Sequence, residues 1–235
     1  MGLLKVENLN VSYGISAILH DVSLEVHRGE LVSLVGRNGV GKSTTMRGIM
    51  GLVPPRSGTV QWKGRDIARR PPFRNALDGL GYVPEDRRVF SRLTVWENLD
   101  VARLPAREGT EPWTEERVFD LFPDLATFRD RMGGLLSGGQ QQMLTIGRTL
   151  MGNPELLLLD EPSEGIAPIV VAAIEQKIHE LKASGLSIVL AEQNLDFVLS
   201  LSDRCYVLEK GRVVYSGTSD DLRQNTEVQD RYLHI

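Results

Sequence analysis

The apolar positions of this chain fall into three textures. Leu3–Asn8, Val11–Tyr13, Asp21–Val26 and Thr59–Lys63 alternate apolar or β-branched residues with polar ones, the spacing of strands with one face in water. Leu31–Val35, Leu156–Leu159 and Leu186–Leu190 are near-continuous apolar runs, interrupted only by Ser33 and Ser187, the pattern of strands covered on both faces. Helical spacing marks Lys42–Met50, stopped by Gly51 and Pro54-Pro55, then Gln140–Leu150 and Ile169–Ala183. In the last of these Val170, Val171, Ile174, Ile178 and Leu181 form one stripe. Between them Thr94–Leu104, Thr114–Phe122 and Asp124–Met132 read as helices punctuated by Pro105, Pro112 and Pro123, with Glu115 and Glu116 placed favourably in a first turn. Cys205–Leu208 and Arg212–Tyr215 flank Glu209-Lys210-Gly211 as a hairpin. The expected fold class is α/β: a mostly parallel core sheet, an antiparallel N-terminal β subdomain and a helical subdomain. One domain over 1–235 is expected, with a β and core lobe of about 1–86 and 154–235 and a helical part of about 87–153.

Composition narrows the function classes. In 235 residues, 27 basic against 31 acidic side chains give a net charge of −4, and 41% are hydrophobic. This excludes disorder as the main state and a polybasic nucleic-acid binder, so no nucleic-acid partner is expected. The single Cys205 excludes an internal disulfide framework and a multi-cysteine zinc site, and fits a reducing compartment. His20, His27, His179 and His234 show no metal-ligand spacing. The longest apolar run, Gly165–Ile174, is ten residues and contains Pro168, too short to span a bilayer. Lys5 and Glu7 stand where a secretory leader needs apolar residues. The expectation is an intracellular chain whose membrane role comes through a partner.

The chemistry gathers in two places. Gly36-Arg37-Asn38-Gly39-Val40-Gly41-Lys42-Ser43, followed by Thr44, fits G-x-x-x-x-G-K-[ST] at every fixed position, after a strand and opening a helix. Glycines let main-chain N–H groups turn inward as an anion nest, and the helix N-terminus adds a positive dipole end. Lys42 then places a point charge on the β- and γ-phosphates of ATP, and Ser43 offers a hydroxyl to Mg²⁺. The bland reading is a glycine-rich turn; the complete match in the right context sets it aside. The second place is Asp160-Glu161, where the run Leu156–Leu159 ends. An apolar strand ending in acids is as often a mere sheet terminus. Beside a phosphate loop, Asp160 reads as part of the Mg²⁺ shell and Glu161 as the group that polarises the attacking water.

Leu136-Ser137-Gly138-Gly139-Gln140 precedes a helix and lies about twenty residues before Asp160. Locally it is a Ser-capped helix start. In this order and spacing the chain resembles the ABC (ATP-binding cassette) ATPases over essentially its whole length. The resemblance implies that Tyr13 stacks on adenine, although an early Tyr by itself is more often packing. It also implies a head-to-tail dimer with a second ATPase subunit, a related chain or a second copy. In that dimer Ser137, Gly138, Gly139 and Gln140 cap the nucleotide held by the partner. Two integral-membrane permease subunits and, indirectly, a periplasmic or extracellular substrate-binding protein complete the implied assembly. The subunit would then sit in the cytoplasm, peripheral on the inner face of the membrane.

Three positions depart from the commonest family pattern. Glu85, in Gly81-Tyr82-Val83-Pro84-Glu85, replaces a Gln that links metal and water to the permease, and is assigned both a catalytic and a metal-binding role. Gln193 replaces a His that contacts the γ-phosphate; its amide donates one hydrogen bond but cannot titrate. Ser163-Glu164-Gly165-Ile166 replaces a more usual Ser-x-Leu-Asp. Together with Arg87-Arg88-Val89-Phe90 and Glu192-Gln193-Asn194, these resemble the shorter ATPase subunit of bacterial importers for branched-chain and other hydrophobic amino acids. Urea or short-amide import, lipid or lipopolysaccharide export, and a non-transport role in DNA repair or translation are the alternatives. The run Arg87, Arg88 and Arg92, with Val89 and Phe90 between, is either a solvated corner or the spot where a permease helix docks.

Overall fold

The computed structural model describes residues 2–107 and 109–233; His234 lies outside them. In chain order the elements are β1 (Leu4–Tyr13), β2 (Ser16–Val26), β3 (Leu31–Val35), α1 (Lys42–Met50), β4 (Ser57–Trp62), β5 (Arg65–Asp66), α2 (Pro72–Leu77) and β6 (Leu80–Val83). There follow α3 (Val95–Asp100), α4 (Glu115–Leu121), α5 (Pro123–Thr127), α6 (Gly138–Leu150), β7 (Leu156–Asp160), α7 (Pro168–Ala183) and β8 (Ser187–Glu192). The last are α8 (Leu195–Leu201), β9 (Arg204–Glu209), β10 (Arg212–Thr218) and α9 (Ser219–Gln224).

Two sheets form. One is antiparallel, in the order β2-β1-β4-β5; the other runs β10-β9-β3-β8-β7-β6. In the second, β9, β3, β8, β7 and β6 are parallel and only the β9–β10 hairpin is antiparallel. This is the expected α/β class, and the antiparallel addition is a separate sheet.

Alternation along the buried strands sorts side chains to the two sheet faces. Leu156 and Leu158 join Val32, Leu34 and Val189 with Met46 and Ile49 of α1, beneath the antiparallel sheet. Leu157 and Leu159 join Leu31, Ile188 and Leu190 with Leu144 of α6 and Ile174 and Ile178 of α7. Each such side chain contributes about 1.5–3 kcal/mol by leaving water. The near-continuous apolar runs exist because both faces are covered.

The departures from expectation have local causes. β1 fuses two expected strands across register irregularities between Val6 and Ser12. β2 begins at Ser16, earlier than expected, because Ser16, Ala17 and Leu19 pair with Tyr13, Ser12 and Val11 of β1. The helices expected over 94–104 and 124–132 end early, at Asp100 and Thr127. The Arg129 and Arg131 carbonyls face the start of α3 instead of continuing α5: Val95 N donates to Arg131 O at 2.9 Å and Trp96 N to Arg129 O at 3.0 Å. β6 carries no clear pattern because it is four residues long and includes Gly81. A Cβ there would meet Thr149 Cγ2 of α6 at 2.8 Å. Cys205 is buried, and burial pushes its thiol up to about 12. Among the described residues, no helix is long and apolar enough to cross a membrane.

Leu158→Ala should cost about 2–5 kcal/mol, since Leu158 is fully buried between two layers. Urea denaturation of parent and variant measures it.

Candidate functional site

Parallel strands in the order β3-β8-β7-β6 bring four loops to one edge, beyond their C-terminal ends. This is where open α/β sheets take ligands. The loop after β3 is Gly36–Gly41. Gly41 has φ 116°, and a Cβ on it would meet Leu19 Cδ2 at 2.6 Å, so only glycine lets this turn sit against β2. The loop is braced from the β9–β10 hairpin, where Gly211 N donates to Val40 O at 2.8 Å. At the start of α1 there is no side-chain cap and no acidic residue in the first turn. Its first N–H groups therefore remain available to an anion.

Lys42 is buried, and its Nζ donates to Gly36 O at 2.7 Å and Arg37 O at 3.0 Å. The same Nζ lies 2.9 Å from Glu161 Oε1, both side chains nearly inaccessible. The lysine is thus folded back over its own loop onto the acid that follows β7. Glu161 stands in the left-handed region at φ 48°, which ends the strand, and its N–H donates to Ala191 O at 2.9 Å. Such a conformation in a non-glycine residue costs on the order of 1–3 kcal/mol and needs surrounding structure to hold it.

Asp160, fully buried, accepts from Ser43 Oγ at 2.8 Å and from the Tyr82 hydroxyl at 2.9 Å. Burial pushes its carboxyl above the usual range, against the pull of those two donors. Ser43 and Asp160 together are hard oxygen donors of the kind that suit Mg²⁺. The Arg47 guanidinium, one helical turn past Ser43, lies beside the hydroxyls of Tyr13 and Tyr82, which raise its basicity. Tyr13, 43% exposed, lies near Arg47 of α1.

Further acids crowd the edge. Glu164 is hydrogen-bonded to Glu161, and this contact, burial and repulsion by Glu161 and Glu85 push its carboxyl up to about 7. Glu85 itself is exposed in the loop after β6. Glu192, buried at the end of β8, accepts from Ser163 N at 3.0 Å and, through its other oxygen, from Gln193 N at 3.1 Å. Burial raises its carboxyl too. Gln193 is exposed in the turn between β8 and α8.

Ser137–Gln140 lies elsewhere. Ser137 Oγ accepts from Gln140 N at 3.4 Å and Gln140 Oε1 accepts from Ser137 N at 2.9 Å, a capping box on α6. A Cβ on Gly139 would meet Val170 Cγ1 at 2.5 Å, so the loop is pressed onto α7. Among the described residues, no hydrogen bond joins Ser137–Gln140 to Lys42, Ser43, Asp160 or Glu161. A cavity of 480 Å³ lined by Arg28, Arg107, Trp113 and Glu155 lies near the opposite edge, where β7 and β8 begin, away from this chemistry.

Sequence reasoning missed Tyr82, Arg47 and the structural role of Glu192. An acid closing a buried apolar strand was a readable signal for Glu192. Arg47 was readable only as a residue four positions after Ser43 on one helix face.

The chain matches the family model described as ABC transporter over residues 19–164. It is 42% identical to the high-affinity branched-chain amino acid transport ATP-binding protein BraG of Pseudomonas aeruginosa, over 98% of this chain and 99% of that one. It is 36% identical to the lipopolysaccharide export system ATP-binding protein LptB of Escherichia coli strain K12, over 99% and 98%. A crystal structure of a nucleotide-free ATP-binding cassette from an ABC transporter superposes with a TM-score of 0.83 at 30% identity, covering 96% of this chain and 94% of that one.

The Glu164 carboxyl gives a pH test. Its proton is held more tightly in the folded chain than in the unfolded one, whose carboxyl titrates near 4.5. Stability is therefore complete at low pH and is lost as pH rises from about 4.5 through about 7. Glu164→Gln should melt above the parent at pH 8, the gap closing by pH 5. Solvent screening keeps the gap small, because the side chain is largely exposed. Equal melting temperatures at pH 8 would remove the carboxylate repulsion.

Proposed function

This chain belongs to the ABC transporter family, and from that membership we propose that it is the ATP-hydrolysing subunit of an importer for branched-chain or other hydrophobic amino acids. The observation that carries the catalytic half is the 2.9 Å contact between Lys42 and Glu161. It puts the phosphate-binding cation and the water-polarising acid within one ligand's reach. The import half rests on the 42% identity to BraG along nearly the whole chain. Export of lipopolysaccharide carries less weight, because the LptB likeness is 36% and Gln193 stands where a His is the commoner residue.

In this reading the main-chain N–H groups of Gly36, Asn38, Gly39, Gly41 and Lys42, with Ser43 and Thr44, cradle the ATP phosphates. Tyr13 stacks on adenine. The γ-phosphate draws Lys42 away from Glu161, since a dense anion competes with a single carboxylate. Glu161, freed, accepts a hydrogen bond from the attacking water and orients it. Gln193 donates its amide toward the γ-phosphate, and Glu85 stands on the far side of the same water. Ser43, Asp160 and Glu85 are the residues that would hold Mg²⁺; when bound, the metal neutralises charge building on the phosphate oxygens.

Ser137, Gly138, Gly139 and Gln140 of one cassette cap the ATP of a second ATPase subunit, head to tail. We read the chain as a single cassette whose part from about 87 to 153 faces two permease subunits, with a substrate-binding protein acting through them. The subunit then lies at the cytoplasmic face of the membrane, held by the permeases. The candidate docking spot centres on Phe90, 49% exposed, whose ring lies 4.8 Å from the Arg148 guanidinium.

Lys42→Ala should abolish tight ATP binding, losing a charge-assisted contact of about 1.5–3 kcal/mol. Calorimetric titration of ATP measures it, and affinity within about two-fold of the parent would end this role. Glu161→Gln should bind ATP, dimerise and turn over about 10²–10⁴-fold more slowly. Near-parent turnover would move the base to Glu85. Arg88→Glu with Phe90→Ala should spare the free subunit's ATPase and abolish binding-protein-stimulated uptake in vesicles reconstituted with both permeases. Normal uptake in that variant would leave the segment a solvated corner.

A further inference from the structure

Beyond β6 the chain makes a strained knuckle. Arg87 and Arg88 both stand in the left-handed region, at φ 59° and 49°, and Arg88 N donates back to Asp86 O at 2.6 Å. Two adjacent non-glycine residues there cost on the order of 1–3 kcal/mol each, so their neighbours must hold the shape. On one side α6 does so. The Arg87 carbonyl accepts from Thr145 Oγ1 at 2.8 Å, and the Arg88 carbonyl accepts from Arg148 Nη2 at 2.8 Å.

The Arg87 guanidinium reaches the other way, between two segments remote from it in sequence. Its Nη2 donates to the Glu164 carbonyl at 2.9 Å, across 77 residues. Its Nη1 lies against Gly138, where an added Cβ would meet it at 3.0 Å. The loop that carries Glu161 is thus pinned twice. Glu192 accepts the Ser163 N–H on one side, and Arg87 holds the Glu164 carbonyl on the other.

We propose that Arg87 is a positioning residue, a strut that fixes the loop after Glu161 and the start of α6 relative to the exposed Glu85–Phe90 segment. The planar guanidinium fork suits this, because it presents donors in two directions from one rigid group. Displacement of Asp86–Arg88 by anything seated on that segment then shifts both the loop bearing the water-orienting acid and the Ser137–Gln140 helix start. The consequence for turnover rests on the ATPase reading above; the strut itself does not.

Backbone hydrogen exchange on the full chain without nucleotide separates the two. Four reporter amides are hydrogen-bonded: Ser163 to Glu192, Glu164 to Glu161, Gln140 to Ser137 Oγ, and Gln141 to Ser137 O. In Arg87→Ala all four should exchange about five-fold faster or more, while the amides of the phosphate loop stay within about two-fold. Reporter rates within about two-fold of the parent would overturn the strut, whatever the chain hydrolyses. In ATP turnover by the same variant, kcat should fall about ten-fold with KM within about two-fold, because Arg87 touches no part of its own phosphate site. A raised KM with unchanged kcat would also overturn it. A parent that neither binds nor hydrolyses ATP would instead refute the functional reading and leave the exchange result standing. Should Arg87→Ala not fold, Thr145→Val removes the opposite anchor and keeps the guanidinium. It should speed exchange at Ser163 and Glu164, and unchanged exchange there counts against the strut.

Discussion

A buried lysine held against a buried glutamate is the interaction on which the site's arrangement depends. Taking both charges out of water costs several kcal/mol per ion, and their attraction offsets this only when the remaining donors are satisfied. Here the Gly36 and Arg37 carbonyls take the other Lys42 protons, and the Ala191 carbonyl fixes the Glu161 backbone. Those partners come from the loop after β3, the end of β7 and the end of β8. The pair exists only because β8 lies between β3 and β7 in a parallel sheet. Strand order, loop geometry and the left-handed turn at Glu161 are one constraint seen at three scales.

What could be read from the sequence follows from how local each feature is. The phosphate loop was legible because strand, glycines, lysine and helix are consecutive, and the context confirms the pattern. The Ser137 cap was legible for the same reason, and α6 begins where the capping box places it. The two-sheet α/β class followed from the contrast between alternating and near-continuous apolar runs. The end of α5 was not legible, because the Arg129 and Arg131 carbonyls accept from the Val95 and Trp96 N–H groups at the start of α3, remote in sequence. α2 and α8 are six and seven residues, too short for periodicity to declare itself. Tyr82, Arg47 and Arg87 act through partners 78, 34 and 77 positions away, and spacing carries no record of such pairs.

The acids at this edge are not equivalent, and environment separates them. Asp160 is buried but takes two hydroxyl donors, which keeps a hard, oriented oxygen toward Ser43. Glu192 is buried and spends its oxygens on backbone N–H groups, so it shapes loops rather than meeting a ligand. Glu161 has the lysine. Among the described residues the Glu164 carboxyl forms no ion pair and absorbs the crowding, which is why it is held near 7. Glu85 adds charge to the same cluster from an exposed loop. Where the commoner family pattern has a neutral Gln, this chain has an acid.

The two halves of the proposed nucleotide surface also differ in how firmly each is occupied by the chain itself. Lys42 is committed to three buried acceptors, and only an anion that satisfies it better releases it. Ser137 and Gln140 are committed to each other through a capping box whose hydroxyl contact is 3.4 Å, near the limit of a hydrogen bond. A cap is worth about 1 kcal/mol, and here an exposed one is held by its weaker contact, so redirecting the Ser137 hydroxyl costs less than that. For the proposed head-to-tail pair this fixes an order. Phosphate must first displace the Lys42–Glu161 contact within one cassette, because Ser137, Gly138, Gly139 and Gln140 of the facing one carry no charge. The facing helix start then closes on a phosphate already in place, meeting it with N–H groups and a hydroxyl that it gives up at little cost.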